Sequence, residues 1–90
     1  MKTFVKTLSS SDVDTDASGD ITVTIGDAKR IYAAIMQIEG GYVANLTGVS
    51  GNQATFRVFK EKNDGGGATA LVAHTSANNI ADATVIAFGE

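Results

Sequence analysis

The chain has 90 residues, a net charge of −3, 43% hydrophobic residues and neither cysteine nor proline. That length corresponds to one domain. The absence of cysteine excludes disulfides and thiolate metal sites, so packing or association with other chains must stabilise the core. The seven basic residues (Lys2, Lys6, Lys29, Arg30, Arg57, Lys60 and Lys62) are scattered. Without a basic stripe interleaved with aromatics, nucleic acid is not expected as a partner. No apolar stretch approaches the ~20 residues of a membrane helix, and the N-terminal MKTFVKTLSSSD lacks the long apolar region of a signal peptide. Neither a membrane nor export is expected.

Residues 2–8, KTFVKTL, read as an N-terminal strand or arm. Residues 9–20, SSSDVDTDASGD, are polar, acidic and rich in turn formers, which predicts an exposed loop. Segment 1–20 is therefore expected to serve as an arm plus an acidic loop. In 21–25, Ile21, Val23 and Ile25 alternate with Thr22 and Thr24, the pattern of a half-buried strand. Gly26 and Asp27 end it.

Residues 28–39 admit two readings. As a helix, Asp27 is the N-cap, Gly40 the C-cap, and Ile31, Ile35 and Ile38 share a face. As a strand, Ile31, Ala33 and Ile35 face one way and Tyr32, Ala34, Met36 and Ile38 the other, so both faces are covered. The β-like flanks and the Gly40-Gly41 reversal favour the strand.

Residues 42–49 and 53–60 flank Ser50-Gly51-Asn52 and form the clearest hairpin. In its second strand Ala54, Phe56 and Val58 share one face, and Thr55, Arg57 and Phe59 the more solvated one. Residues 61–68, with three glycines, predict a flexible loop. Residues 69–74 predict a strand, 75–82 a turn region anchored by Ile80, and 83–88 a closing strand with Val85 opposite in face to Ile86 and Phe88. The expected fold is all-β: a single-domain sandwich of about seven mostly antiparallel strands, with barrel-like closure as an alternative. The closing strand and residues 42–49 expose backbone edges unless they are covered.

No constellation of reactive residues emerges. Asp12, Asp14, Asp16, Ser18 and Asp20 match the early spacing of a calcium loop, but Ala17 stands at the sharp-turn glycine and Val23 at the bidentate glutamate. A solvated loop is the simpler reading. The triglycine stretch lacks the lysine and Ser/Thr of a phosphate loop. His74 is the only histidine, so no second imidazole can join it. Ser9, Ser10 and Ser11 lack the glycine-flanked context of a nucleophile elbow. Glu39 and Asp82 read as surface charges, and Asn45-Leu46-Thr47 fits the glycosylation pattern inside a predicted strand. No catalytic, cofactor or metal residues are assigned, and no enzymatic activity is expected.

The stretch GYVANLTGVSGNQATFRVFKE, residues 41–61, together with the C-terminal ATVIAFGE, resembles small virion proteins of tailed bacteriophages. The shared features are an aromatic-led strand from Tyr42, a turn through Gly48, Ser50, Gly51 and Asn52, an alternating strand with Phe56, Val58 and Phe59, and the final apolar run Val85 to Gly89. The resemblance implies a capsid decoration (cement) protein or a related head, neck or tail accessory protein. Such a protein resides in the virion, stabilises the shell by bridging neighbouring subunits, partners the major capsid protein or other virion proteins, and is often a homo-oligomer. The competing reading is a carbohydrate- or cell-surface-binding module in which Tyr32, Tyr42 and Phe59 supply flat platforms for sugar rings.

Overall fold

A computed structural model describes residues 1–63 and 69–90. The triglycine stretch expected to form a loop lies outside the described residues. The strands are β1 (Lys2–Leu8), β2 (Asp20–Thr24), β3 (Ile31–Ile38), β4 (Val43–Ser50), β5 (Gln53–Asn63), β6 (Thr69–Ala73) and β7 (Ala83–Gly89), with one 3-10 turn at Ser10–Asp12. They build two antiparallel sheets packed as a sandwich, with no closed barrel. Sheet A has the order β1-β7-β3. In sheet B the long β5 is central: β4 lies along one side, and β2 and β6 share the other.

The sequence pattern explains most of this. Ile21 and Val23 of β2 are buried and their threonine neighbours exposed. Ala54, Phe56 and Val58 of β5 are fully buried. On β7, Ala83, Val85 and Ala87 point inward and Ile86 outward. The hairpin turn places Gly51 at a φ of 57°, a left-handed conformation that glycine adopts without a Cβ clash. The glycosylation-like triplet lies within β4.

Residues 31–38 form the strand that the β-like flanks favour, and the helix alternative fails: pairing with β7 along the whole segment overrides local helix capping. The phase of that strand needs correction. A register shift between Ile31 and Ala33 puts Ile31 on the inward face with Ala34, Met36 and Ile38. Tyr32 and Ile35 are left exposed, so β3 is covered on one side only. Of the two strands whose edges the sequence left open, β7 is covered, pairing with β1 on one side and β3 on the other, and β4 is an edge of sheet B. The strand β5 also continues to Asn63, through the start of the expected loop.

Segment 1–20 is laid down within the domain. β1 pairs with β7 from Lys2↔Gly89 to Leu8↔Ala83. Beyond it, Val13 is fully buried and Thr15 nearly so. The Thr15 hydroxyl donates to the His74 carbonyl and accepts from the Ala77 amide at 3.0 Å. Ile80 packs against the core, and its amide donates to the Val13 carbonyl at 3.0 Å.

Candidate interaction surface

The two outer faces of the sandwich differ in chemistry. On sheet B, Val43, Leu46 and Val49 of β4 and Leu71 of β6 are exposed, whereas the solvent-facing side chains of β2 and the adjoining part of β5 are polar and satisfy one another. The Thr22 and Thr55 hydroxyls are 3.0 Å apart, Gln53 Nε2 donates to Thr24 Oγ1 at 3.1 Å, and Thr47 Oγ1 donates to the Thr55 carbonyl at 3.1 Å. Arg57 Nε donates to Asp20 Oδ1 at 2.8 Å. A lattice of this kind is complete in contact with water.

Sheet A is different. Register sets Val5 opposite Ile86, and Ile86 opposite Ile35, so three aliphatic side chains cross the middle of the outer face in one row. Val5 is 67%, Ile35 61% and Ile86 37% exposed. On one side of the row lie Thr3, Phe88 and Ala33; on the other lie Thr7, Thr84 and Gln37. None of these side chains carries a charge. Tyr32 stands beside the face at 43% exposure, with the Arg30 guanidinium 5.4 Å from its ring centroid. The Glu90 carboxylate at its hydroxyl, together with partial burial, pushes the phenol above its ordinary pKa. Isolated exposed aliphatics are normal, but a contiguous charge-free patch marks a contact surface.

The candidate chemical groups do not converge. Asp14 Oδ1 accepts from the Asn79 amide at 2.7 Å. Asp16 Oδ1 accepts from the Ser18 and Asp20 amides at 2.8 and 2.9 Å. The Asp20 and Ser18 amides hold the Asp16 carboxyl below its usual pKa. Asp20 is paired with Arg57. The acidic loop therefore spends its oxygens on the chain's own donors, and no group of three or more metal-ligating side chains forms among the described residues.

His74 follows β6 and stacks on Tyr42. Its Nδ1 is buried without a hydrogen-bond partner. Burial, and to a lesser extent Lys60, lowers its pKa below the ordinary imidazole value. A cleft of about 470 Å³ opens at one end of sheet A and brings together Ser9, Glu39 and Asp82. Asp82 is occupied there by the Ser10 amide at 2.8 Å, and Ser9 Oγ lies 2.9 Å from Ser11 Oγ. No imidazole lines it, so the serine lacks the adjacent base that would activate it.

Clefts of about 420 and 430 Å³ follow the seam between β1 and residues 21–27. Lys6 Nζ bridges that seam to the Thr24 carbonyl at 2.7 Å. An inward-pointing lysine on an edge strand discourages strand addition.

The proposed sugar-platform residues do not share a face. Tyr32 flanks the outer face of sheet A, Phe59 lies opposite Val43 and Ala73 in sheet B, and Tyr42 is half-buried against His74. Sequence reasoning assigned no role to Val5, Ile35 or Ile86. The signal available was apolar residues at both parities of residues 31–38 and 83–88. Comparison with known protein families, curated proteins and solved structures gave no match.

Proposed function

We propose that this chain is a non-enzymatic virion structural protein, a capsid decoration (cement) protein that stabilises the shell by bridging neighbouring capsid subunits. Its partner in that reading is the major capsid protein, and its place is the virion. Head, neck and tail accessory roles are variants of the same mode of action. The observation that carries the reading is the uncharged aliphatic row Val5–Ile86–Ile35 on the open face of sheet A. A small domain with such a face gains stability by mass action when the face is covered. The resemblance of residues 41–61 and 83–90 to tailed-phage virion proteins supplies the class of partner.

The test is to add purified protein to shells assembled from the capsid protein of the phage that encodes the chain. The reading predicts saturable cosedimentation and a higher melting temperature of the shell. Failure to cosediment with head, neck and tail assemblies alike would refute it.

A further inference from the structure

The loop that follows the 3-10 turn and the loop that follows β6 are laced to each other. The Thr15 amide donates to the Ala77 carbonyl at 2.9 Å, and the Ser76 amide to the Asp16 carbonyl at 2.7 Å. Side chains add to the lacing. The Thr15 hydroxyl serves the His74 carbonyl and the Ala77 amide, and the Asp14 carboxylate accepts from the Asn79 amide. The closed arrangement holds Ser76 and Asn79 at φ values of 49° and 52°. That left-handed backbone is disfavoured for a residue with a Cβ, and for serine more than for asparagine. Residues 74–79 are therefore held closed against their own backbone preference.

His74 starts this segment and fastens it twice. On the backbone, its amide donates to the Val58 carbonyl at 2.8 Å, and the Val58 amide donates to the Gly19 carbonyl at 2.8 Å. The exit of β6 and the entry to β2 thus meet on one residue. On the side chain, the imidazole stacks on Tyr42 with centroids 5.4 Å apart. Gly40 makes room for that stack, since a Cβ there would lie 3.3 Å from the Tyr42 ring. The imidazole Nδ1 is buried with no hydrogen-bond partner among the described residues.

We infer that residues 14–19 and 74–79 form a latch that acid opens, with His74 as its trigger, while the two sheets stay folded. The latch is a property of the fold and does not depend on which partner meets sheet A.

The trigger follows from the surroundings of the ring. A protonated imidazole donates from both nitrogens. A proton on Nδ1 meets no acceptor, and a buried donor left unmatched is costly. Lys60 of β5 is the charged side chain that acts on the ring, and it repels a second cation. The carboxylates of the facing loop are engaged elsewhere: Asp14 with the Asn79 amide, Asp16 with the Ser18 and Asp20 amides, and Asp20 with Arg57. Attraction between the cation and the Tyr42 face works the other way, but it is weaker than the loss of solvation at a buried donor. An opened latch lets water solvate the imidazolium and relaxes Ser76 and Asn79.

The opening is local because the strands do not depend on it. β1, β7 and β3 pair with one another, and β2 and β4 pair with β5, in registers that include no latch residue. Val13 and Ile80, seated in the core or against it, bound the latch on either side.

The experiment is amide hydrogen exchange by NMR at about pH 7.5 and about pH 5.5, read as protection relative to an unstructured peptide at the same pH. The Thr15, Ser76, Ala77 and Asn79 amides should lose protection together, by up to about tenfold, the ratio set by an imidazole that titrates normally only when the latch is open. At both pH values they should be less protected than the strand amides of Phe56 and Val85, and low urea should leave their exchange unchanged while it speeds that of the strands. In His74→Phe the loss on acidification should disappear. Thr15→Val should lower latch protection already at the higher pH. Equal protection of latch and strand amides would overturn the inference, because a single global unfolding then exposes both. Latch protection that does not change with pH in the wild type would also overturn it, as would a step that His74→Phe retains in full. Thr15→Val with undiminished latch protection would remove the lacing as the hold.

Discussion

His74 lies flat against Tyr42, with ring centroids 5.4 Å apart and planes 17° from parallel. The stack joins the end of β6 to the entry of β4. It is completed on the backbone: the His74 amide donates to the Val58 carbonyl at 2.8 Å, and the His74 carbonyl accepts from Thr15. The histidine is thus a packing element with one buried, unpartnered ring nitrogen.

That nitrogen makes stability depend on pH. Burial, then Lys60, lowers the folded-state pKa below 6.5. The unfolded chain therefore binds the imidazole proton more readily than the native one, and stability rises with pH across this range. The contribution is complete above about pH 6.5 and is lost as the pH falls towards the lowered value. Urea midpoints should drop between about pH 7.5 and pH 5 in the wild type. His74→Phe keeps a ring on Tyr42 and removes the titration, so its midpoint should change less over the same interval. An equal drop in both proteins would show that His74 is not the group responsible.

Thr15 ties the acidic loop to the segment after β6. Its hydroxyl serves the His74 carbonyl and the Ala77 amide from an almost fully buried position. Thr15→Val keeps the shape and strands both groups. Leaving buried polar groups unmatched costs about 1–3 kcal/mol. Chemical denaturation should show that loss, and the loop from residue 13 to 20 should become the first site of limited proteolysis. An unchanged denaturation midpoint would contradict the pinning of this loop.

Gly89 of β7 packs directly against the backbone at the start of β3. A Cβ there would collide with the Arg30 carbonyl, which is backbone and has no side-chain freedom with which to yield. Glu90 and Arg30 also exchange hydrogen bonds beside it, with the Glu90 amide on the Arg30 carbonyl at 2.9 Å. Gly89→Ala should therefore destabilise the fold by about 1–3 kcal/mol, the range for overpacking. Calorimetry of the single variant checks this, and a melting temperature equal to that of the wild type would refute it.

Periodicity made the architecture legible. The Ile21-Val23-Ile25 and Ala54-Phe56-Val58 alternations announced their strands, and Ser50-Gly51-Asn52 announced its turn, because each signal is local. The bulge at Tyr32 and Ala33 was not legible. It arises from pairing with β7 and inverts the phase of a strand whose two faces are both apolar. The functional face was half legible for the same reason. Apolar residues on both sides of residues 31–38 signalled two covered faces, yet only the core covers one of them within the chain. The row itself needs register, since Val5 and Ile35 are thirty residues apart and meet only through Ile86. The clustering of Glu39 with Asp82 likewise follows from the pairing of β3 with β7 and has no sequence signature.

The central claim is that the open face of sheet A is occupied when the protein acts. The chain contains no cysteine, so Ile35→Cys introduces a single thiol in the middle of that face. Its rate of reaction with a maleimide can be compared between dilute free protein and protein assembled on capsid shells. Rapid labelling when free and strong protection when assembled is the predicted result. Equal labelling in both states would contradict the account.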